Sequence, residues 1–551
     1  SSHFGSRPAW LSYLRGRVMF CRIASHRGVL AGSSAAIAST NISAPHSSSG
    51  HQWRPSAPDA ARCDDDALRT ASQALLRPMI HYAELHGLLY ADKNTADDAS
   101  LATQCPVAML PYKIPAQAFD DAVALSQLWN KLVDAVARDV TWLHATLEAT
   151  TRGDPFTKRL VEMSKALHAR KLRQELMLGI HRSDYMQHDP EGSSERPKLL
   201  QVELNTIASS MASHSANVFA LHRYMLDRYG RGSDSVARAL SEHYGAGGSE
   251  LVGRLPQNET LKHIPDALAA AHRAYSGESA VVLFIVQSGE RNFADQRWIE
   301  YALWEQHRVP VVRRTLAEVR REASLDASTG RLRIGGGVEV SVAYFRAGYG
   351  PDDYPTEAEW EARELLEQSL AIKCPSVDYQ LVGTKKVQQA LARPGGVERF
   401  VGATDGAALR TCFAGLWGLG PGEDDAVIIE HACRDPQGYV LKPQREGGGN
   451  NFYGQDVAKK LRELSPEERA AYILMQRILP QKQTSVMTRA GKAEVQPGLS
   501  EFGFYSVFLG NGKDVLLSEH AGHLVRTKAE GVDEGGVAAG YAVISSPFLV
   551  K

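Results

Sequence analysis

Hydrophobic residues take up a helical spacing from about Asp64 onward. In Ala67–Leu89 and Ala118–Leu147 they recur every three or four positions, which places them on one face of an α-helix. The preceding residues 40–62 are rich in Ser, Pro, Ala and His, a composition typical of a linker. We therefore expect buried scaffold helices at the start of the folded chain.

The segment KLLQVELN, which ends at Asn205, has the alternation of a strand. Gln201, Glu203 and Asn205 are expected on one face, because side chains alternate along a strand. Val202 and Leu204 are expected on the other face.

A strand–helix–strand order occupies residues 276–378. The continuous apolar run AVVLFIVQ at 280–287 predicts a strand buried on both faces. Further along come a helical pattern at Ala294–Gln306, the strand pattern RVPVVRRTL, a strand at 340–349 and a helical pattern at Glu357–Leu370. This order predicts a small α/β unit.

Overall composition narrows the function classes. The 551 residues include 62 Lys and Arg against 63 Asp and Glu, which argues against a strongly basic nucleic-acid binder. No run of about 18 apolar residues occurs, so no transmembrane helix is expected. The six Cys are scattered without a C-x-x-C pair, so neither a disulfide framework nor a zinc site is expected. We expect no nucleic acid and no membrane as partners.

Charge is uneven at the start of the chain. Residues 1–58 contain six Arg and many Ser but no Asp or Glu, the composition of a mitochondrial or plastid transit peptide. A tail with a chance bias is the alternative, and the protein would then be expected in the cytoplasm.

Oxygen ligands for a cation are candidates on the strand KLLQVELN. Glu203 and Asn205 are two residues apart on one face, so both could reach the same Mg²⁺, an ion that often shares its coordination shell with substrate phosphates. A solvated strand edge is the alternative, because E-x-N is a weak signal.

Two glycine-rich segments in the last third are candidates for anion binding. In KPQREGGGNN, residues 442–451, three glycines let backbone amides approach phosphate oxygens, with Lys442 and Glu446 beside them. In residues 523–540, Arg526 and Lys528 precede the loop EGGVAAG, which fits a lid over an anionic substrate. Flexible surface loops are the alternative for both segments.

Arginines follow two of the predicted buried strands. Arg291 and Arg346 each come just after such a strand, and ligands bind at strand ends in α/β sheets. Arg can hold a carboxylate through two parallel hydrogen bonds. Each could equally be a surface residue. Neither a Walker A loop nor a dinucleotide-binding G-x-G-x-x-G motif is present.

Taken together, these segments resemble the eukaryotic glutathione synthetase family. The resemblance covers about residues 64–551. It rests on strings in the family's order: HRSDYM, QVELNTIASS, ERNFADQR, YFRAGY, KCPSVDYQLVGTKKVQQ, VLKPQREGGGNNFYG, YILM and GHLVRTKAEGVDEGGVAAG.

The resemblance implies a circularly permuted ATP-grasp fold of the α/β (α+β) class, with an inserted parallel α/β substrate-binding domain. It implies ATP-dependent ligation of γ-glutamylcysteine and glycine through an acyl phosphate, with two Mg²⁺ ions, in a homodimer. The expected segments are a leader at 1–58, the first part of the ATP-grasp core at 64–275, the inserted domain at 276–378, and the nucleotide-binding part with the lid at 379–551.

The resemblance also implies roles for individual residues. The magnesium ligands would be Glu203, Asn205 and Glu446, and the catalytic cations Arg182, Lys442 and Arg526. The residues around ATP would be Glu203, Lys385, Lys442, Glu446, Gly447, Gly448, Gly449, Asn450, Asn451, Tyr453, Met475, Gln476, Arg477, Ile478, Glu501, Lys528 and Glu534. The residues around the dipeptide and its acceptor would be Arg182, Ala208, Ser209, Ser210, Glu290, Arg291, Asn292, Gln296, Arg346, Tyr349, Arg526, Val537 and Ala538.

The sequence departs from the family pattern without losing an expected metal ligand or principal cation. The departures are Ala208 for a Ser, Ala212 for a Gly, Ala347 for an Asp, Gln476–Arg477 for Glu-Lys, and Glu534 for an Asp. Three alternatives stay open: a ligase that adds β-alanine or serine, an ATP-grasp protein that binds nucleotide without catalysis, and a nicotinamide enzyme. The missing dinucleotide-binding motif disfavours the last.

Overall fold

The computed structural model describes most of the chain from residue 62 onward. The described residues are 62–92, 101–170, 173–190, 192, 196–275, 277, 279–423 and 426–551. The predicted transit peptide, 1–58, lies outside them. Among the described residues, no helix combines the length and apolar character that crossing a membrane requires.

The helices begin and end as follows: α1 Arg62–Leu85, α2 Ala116–Arg138, α3 Val140–Leu147, α4 Thr150–Gly153, α5 Pro155–Ala169, α6 Ala212–Tyr229, α7 Ser235–Tyr244, α8 Ser249–Gly253, α9 Thr260–Ala274, α10 Phe293–His307, α11 Leu316–Glu322, α12 Glu357–Gln368, α13 Val377–Val382, α14 Lys385–Ala392, α15 Glu398–Val401, α16 Ala403–Arg410, α17 Ala426–Arg434, α18 Gln455–Glu463 and α19 Pro466–Arg469.

The strands are β1 Leu89–Ala91, β2 Ala102–Gln104, β3 Val107–Ala108, β4 Tyr112–Pro115, β5 Met177–His188, β6 Lys198–Asn205, β7 Val281–Ile285, β8 Val311–Arg314, β9 Ser324–Leu325, β10 Leu332–Ile334, β11 Val338–Phe345, β12 Ile372–Cys374, β13 Leu416–Gly418, β14 Tyr439–Pro443, β15 Phe452–Tyr453, β16 Tyr472–Gln476, β17 Gln483–Arg489, β18 Lys492–Gly510, β19 Val515–Ala529, β20 Ala542–Ser545 and β21 Pro547–Val550.

A largely antiparallel sheet of seven strands carries much of the site. Its strand order is β17-β3-β20-β19-β18-β5-β6. The long hairpin β18–β19 crosses its middle, and β5 pairs with β18 on one side and β6 on the other. Helix α2 packs on it through buried residues such as Phe119, Trp129 and Leu132.

A second sheet contains the predicted parallel unit. Strands β8, β7, β11 and β12 pair in parallel in that order. All five residues of β7 are buried, as its continuous apolar run predicts. The predicted α/β class is confirmed, whereas the predicted domain boundaries remain a prediction.

A smaller antiparallel sheet has the order β13-β16-β14-β15. Strand β14 carries Lys442, and β16 carries Met475 opposite Val440 of β14. The glycine-rich segment that follows β14 therefore connects β14 to β15, the neighbouring strand of this small sheet.

The predicted helix at Ala118–Leu147 is two helices. The chain breaks at Asp139, whose backbone is non-helical and whose side chain accepts a hydrogen bond from the Trp142 amide at the start of α3. An Asp in this position is a strong N-cap and so starts a new helix. Likewise α1 ends at Leu85, and Leu89 belongs to β1.

The alternation predicted along β6 is wrong at one position. Asp184 of β5 pairs with Glu203, but Tyr185 pairs with Gln201, so Val202 is an extra residue in the ladder. Such a bulge shifts the side-chain alternation. Gln201 consequently donates to Ser183 (2.7 Å), while Val202 lines the same cleft as Glu203.

Candidate active site

A cleft of about 1080 Å³ lies where elements of the three sheets meet. It is lined by β6, by the ends of β14 and β16, by β18 and β19, and by the segments that follow β7 and β11. Every site residue expected from the sequence lines this cleft except Gly449. The Gly449 amide donates a hydrogen bond to Glu534, which does line the cleft. The fold thus brings residues more than 300 positions apart into one site.

An acid–lysine cluster occupies one wall of the cleft. Lys385 at the start of α14 places its ammonium 3.1 Å from Glu203 Oε2 and 2.8 Å from Glu446 Oε1. Burial raises the pKa of Glu446 to about 7. Burial also acts to raise the pKa of Glu203, but Lys385 and Lys442 overcome it and hold that pKa well below its usual range.

The same wall offers the oxygen ligands that a divalent cation needs. Glu203 and Glu446 supply carboxylates, and the Asn205 amide nitrogen donates to Asp184 Oδ2 (3.0 Å), leaving the amide oxygen for a cation. In the described part of the chain, no three His, Cys, Asp or Glu side chains form a complete metal cage. Two carboxylates and one amide therefore fit Mg²⁺, which commonly takes its remaining ligands from phosphates and water.

The triglycine turn lies at the mouth of the cleft. Gly447, Gly448 and Gly449 have φ of 95°, 75° and 78°, a region that L side chains rarely adopt. The Gly449 amide donates to Glu534 Oε2 (2.8 Å) in the second glycine-rich loop. The two predicted lid segments are therefore in contact.

An apolar pocket lies near the small sheet. Met475, Ile478, Met186 and Leu200 form one buried cluster, with Val202 packed against it. The ring faces of a flat ligand such as a nucleobase can be held between such side chains.

Next to this pocket lie two of the positions that differ from the family pattern. Gln476 accepts a hydrogen bond from the Gly415 amide (3.0 Å). Arg477 pairs with Asp533 at 2.7 Å. The Gln476 side chain thus supports the local backbone, and Arg477 reaches toward the second glycine-rich loop.

Cations follow the floor of the cleft. Lys442 donates to the Val202 carbonyl (2.8 Å), and burial lowers its pKa. Arg526 contacts Glu501, a carboxyl whose pKa burial raises, and Lys528 donates to the Asp533 carbonyl. Lys and Arg side chains in such a position are suited to bind phosphate.

The other half of the cleft is built around Arg346, directly after β11. Its side chain is 2% exposed, and its Nη2 donates to Asp295 Oδ2 (3.0 Å). Its Nε and Nη1 have no hydrogen-bond partner among the described residues. A buried guanidinium with free donors is suited to bind a substrate carboxylate.

Polar residues after β7 complete this half. Glu290 accepts from the Asn292 amide (2.7 Å) and from Gln296 Nε2 (2.6 Å). Arg291 donates to the Ala538 carbonyl (3.2 Å), which joins this wall to the second glycine-rich loop. Tyr349 accepts a hydrogen bond from Gln287 Nε2 (2.9 Å).

The turn between β6 and α6 is held in an unusual backbone shape. Ala208 and Met211 have φ of 50° and 73°, uncommon for residues other than glycine. The Ser210 carbonyl accepts from Arg182 (3.2 Å) and from Tyr505, and Ser209 Oγ donates to the Ile180 carbonyl (3.3 Å). These contacts fix the turn against the cleft.

Sequence reasoning missed two buried carboxylates. Asp184 binds Arg182, and Asp295 accepts from the amides of Met211 and Ser213 at the start of α6. Arg182 and Asp184 share a strand face because they are two residues apart, a signal that the sequence contains. Asp295 meets α6 only through the tertiary fold, so the sequence near Asp295 does not indicate this contact.

Comparisons with known proteins agree with this geometry. Residues 69–549 match the family described as eukaryotic glutathione synthase, ATP binding domain. The chain is 42% identical to a chloroplastic glutathione synthetase from Solanum lycopersicum, over 87% of this chain and 84% of that protein. It is 41% identical to a glutathione synthetase from Dictyostelium discoideum, over 85% and 97%. A solved structure of a glutathione synthetase-like effector from Globodera pallida shares the fold, with a TM-score of 0.67 and 22% identity over 87% of this chain and 97% of that one.

Proposed function

Because the chain belongs to the eukaryotic glutathione synthase family of ATP-dependent ligases, we propose that its cleft joins γ-glutamylcysteine to glycine through an acyl phosphate. The observation that carries this assignment is the convergence of two regions in one cleft. The acid–lysine cluster with the triglycine turn forms one region, and the partly unpaired Arg346 forms the other.

ATP is assigned to the side of the cleft that is formed by the small sheet. The adenine lies among Met475, Ile478 and Val202, and the phosphates lie near Lys442, Lys385 and the triglycine turn. Glu203, Asn205 and Glu446 would hold Mg²⁺, which neutralises phosphate charge during phosphoryl transfer. The number of ions, two by family resemblance, belongs to this proposal.

The dipeptide is assigned to the side formed by the parallel sheet. Arg346 holds one of its carboxylates, while its cysteine carboxylate faces the γ-phosphate. An oxygen of that carboxylate attacks the γ-phosphorus, the bond to ADP breaks, and an acyl phosphate forms. Arg182 and Arg526 offset the charge on the transferring group, since this reaction depends on positioning and electrostatics.

The glycine amine then attacks the acyl carbon, the amide bond forms, and phosphate leaves with loss of a proton from nitrogen. Water would hydrolyse the acyl phosphate, so the site must exclude it. The contact between Gly449 and Glu534 supports the assignment of residues 445–451 and 534–540 as the closing loops.

The test is an ADP-release assay on residues 59–551 with each substrate omitted in turn. Release should require γ-glutamylcysteine, an amino acid, Mg²⁺ and ATP together. Competition among glycine, β-alanine and serine identifies the acceptor, and glycine is expected to win. Nucleotide binding without any ADP release would instead indicate a non-catalytic protein.

We also propose that the protein is a homodimer. Leu85, Tyr224, Tyr301 and Trp304 are 41–84% exposed on α1, α6 and α10, and both α1 and α10 contact α6. Large exposed apolar patches commonly mark protein interfaces. Light scattering should give the mass of two chains, and Trp304→Glu should give one. The exposed Val427 on α17 provides the control Val427→Glu, which should leave the mass unchanged.

We further propose a plastid location. The acid-free, Arg-rich residues 1–58 and the chloroplastic relative from Solanum lycopersicum support it. Residues 1–58 fused to a fluorescent protein should direct it to plastids in plant cells, and accumulation in mitochondria would contradict the proposal.

A further inference from the structure

A fully buried carboxylate lies behind the cations of the cleft. Asp184 of β5 accepts from Arg182 Nε at Oδ1 (2.7 Å) and from Arg182 Nη2 at Oδ2 (2.8 Å). Its Oδ2 also accepts from Arg526 Nη2 (2.9 Å) and Asn205 Nδ2 (3.0 Å). One carboxylate thus binds three side chains from β5, β19 and β6.

These three partners line the cleft, but Asp184 is not among the described residues that do. Its contacts therefore act on the substrate side only through Arg182, Arg526 and Asn205. Because two guanidinium groups and an amide share its oxygens, a shift of Asp184 would move all three together. Charge-assisted and bidentate hydrogen bonds of this kind fix geometry strongly.

The neighbouring strand leaves room for this carboxylate. Gly503 of β18 pairs with Asp184, and a Cβ at Gly503 would lie 2.6 Å from Asp184 Oδ1 and 2.8 Å from Arg182 Cδ. No side chain fits at this distance without displacing the pair. The glycine is therefore an independent sign that the site is built around Asp184.

We propose that Asp184 is a positioning residue that holds Arg182, Arg526 and Asn205 in the arrangement needed for phosphoryl transfer. The inference rests on the proposed function of the cleft. Asp184→Asn would keep the shape but would place an amide NH₂ group against a guanidinium donor. Arg182 would then lose its carboxylate partner, and the arrangement that matters in the transition state would loosen.

The test compares Asp184→Asn with Asp378→Asn in the full chain. Asp378 is also buried and hydrogen-bonded, to Ser164 (2.5 Å) and His168 (2.8 Å), but neither of these partners lines the cleft. We expect Asp184→Asn to lower kcat about 100-fold with KM for ATP changed less than threefold. Asp378→Asn should keep kcat within twofold even if its melting temperature falls.

A second readout separates positioning from general damage. Calorimetric affinity for ADP without Mg²⁺ should change less than threefold in Asp184→Asn, because Met475, Ile478 and Val202 of the adenine pocket are not among the side chains that Asp184 binds. Should Asp184→Asn fail to fold, Gly503→Ala decides, since it displaces the carboxylate but keeps its charge. Gly498→Ala on the same strand, whose Cβ would meet Ser485, is its control.

The outcomes are distinguishable. A folded Asp184→Asn or Gly503→Ala with kcat within threefold of the wild type would overturn the inference. Equal falls in kcat for Asp184→Asn and Asp378→Asn would also overturn it. If the wild type itself released no ADP under complete conditions, the proposed function would fail instead.

Discussion

At the residue scale, Lys385 holds the carboxylates of Glu203 and Glu446 together in the cleft. Its ammonium contacts both carboxylates, and the surrounding cations hold the pKa of Glu203 low while burial raises that of Glu446 to about 7. Glu203 is therefore the stronger acid of the two.

The first prediction concerns the Glu446 side chain. Glu446→Gln removes one oxygen ligand and one charge while keeping the shape, so we expect turnover in the ADP-release assay to fall about 100-fold. The melting temperature should stay within a few degrees, because Lys385 retains Glu203 as a partner. Glu463→Gln, on the exposed face of α18, should behave as wild type. A Glu446→Gln protein of nearly wild-type rate would refute the assignment.

The second prediction concerns Arg346. Arg346→Lys keeps the charge but loses the two-pronged donor geometry that a carboxylate prefers. We expect KM for γ-glutamylcysteine to rise at least about tenfold, with KM for ATP little changed. Arg333→Lys, an exposed position on β10, is the control. A change in KM for ATP alone would contradict the placement of the dipeptide.

At the scale of elements, the sequence predicted strands whose pattern is local. β6, β7, β8 and β11 follow from alternation or from continuous apolar runs, and the structure confirms them. The bulge at Val202 was not predictable, because it depends on how β5 and β6 pair.

The long strand β18 was not predicted either. It includes Pro497, Gly498 and Gly503, residues that weaken a strand pattern. Gly503 is explained by the three-dimensional arrangement, since Asp184 and Arg182 occupy the space that its side chain would fill. Site residues such as Glu203, Lys442 and Arg346 were candidates from local patterns, and the others were reached through family strings. Asp295 behind them required the fold.

A third prediction concerns the tie between α5 and α13. His168 binds Asp378 (2.8 Å), and this hydrogen bond raises the pKa of His168, against the effect of burial and with a smaller contribution from Glu367. A raised folded pKa stabilises the fold below the unfolded value of about 6.5, and the contribution is lost as pH rises through the folded pKa.

Replacing His168 should therefore matter more in acid. We expect His168→Gln to lower the free energy of unfolding by about 1 kcal/mol more at pH 6 than at pH 9, measured by denaturant titration. His81→Gln, exposed on α1, should show no such difference. An equal loss at both pH values would exclude an ionic contribution from this pair.

A fourth prediction concerns the two glycine-rich loops. Glu534 accepts a hydrogen bond from the Gly449 amide, so Glu534→Ala should loosen the triglycine turn. Amide hydrogen exchange at residues 447–450 should accelerate severalfold in the absence of ATP. The same substitution should leave exchange in β7 unchanged. Unaltered exchange at the turn would show that Glu534 does not hold it.

At the scale of the whole molecule, the cleft is where three sheets meet. Each sheet is supported by its own strand pairing, but the cleft depends on all three because its lining residues come from each. The seven-stranded and parallel sheets share two hydrophobic core clusters, whereas the small sheet has its own core and meets the seven-stranded sheet in a smaller cluster beside the cleft. This arrangement couples binding to the stability of the whole chain.

A final prediction tests that coupling. Bound ADP with Mg²⁺ would contact β14 and β16 of the small sheet and β18 and β19 of the seven-stranded sheet. At a concentration of about 100 Kd it should raise the free energy of unfolding by about 2.7 kcal/mol. Hydrogen exchange should slow in both sheets together, since the ligand binds the folded state of both.

Lys442→Ala, at the same ADP concentration, should show little of either effect because the phosphate contact is lost. Protection confined to residues 439–476 would mean that the nucleotide is held by the small sheet alone, and the bridging role assigned to the cleft would be wrong.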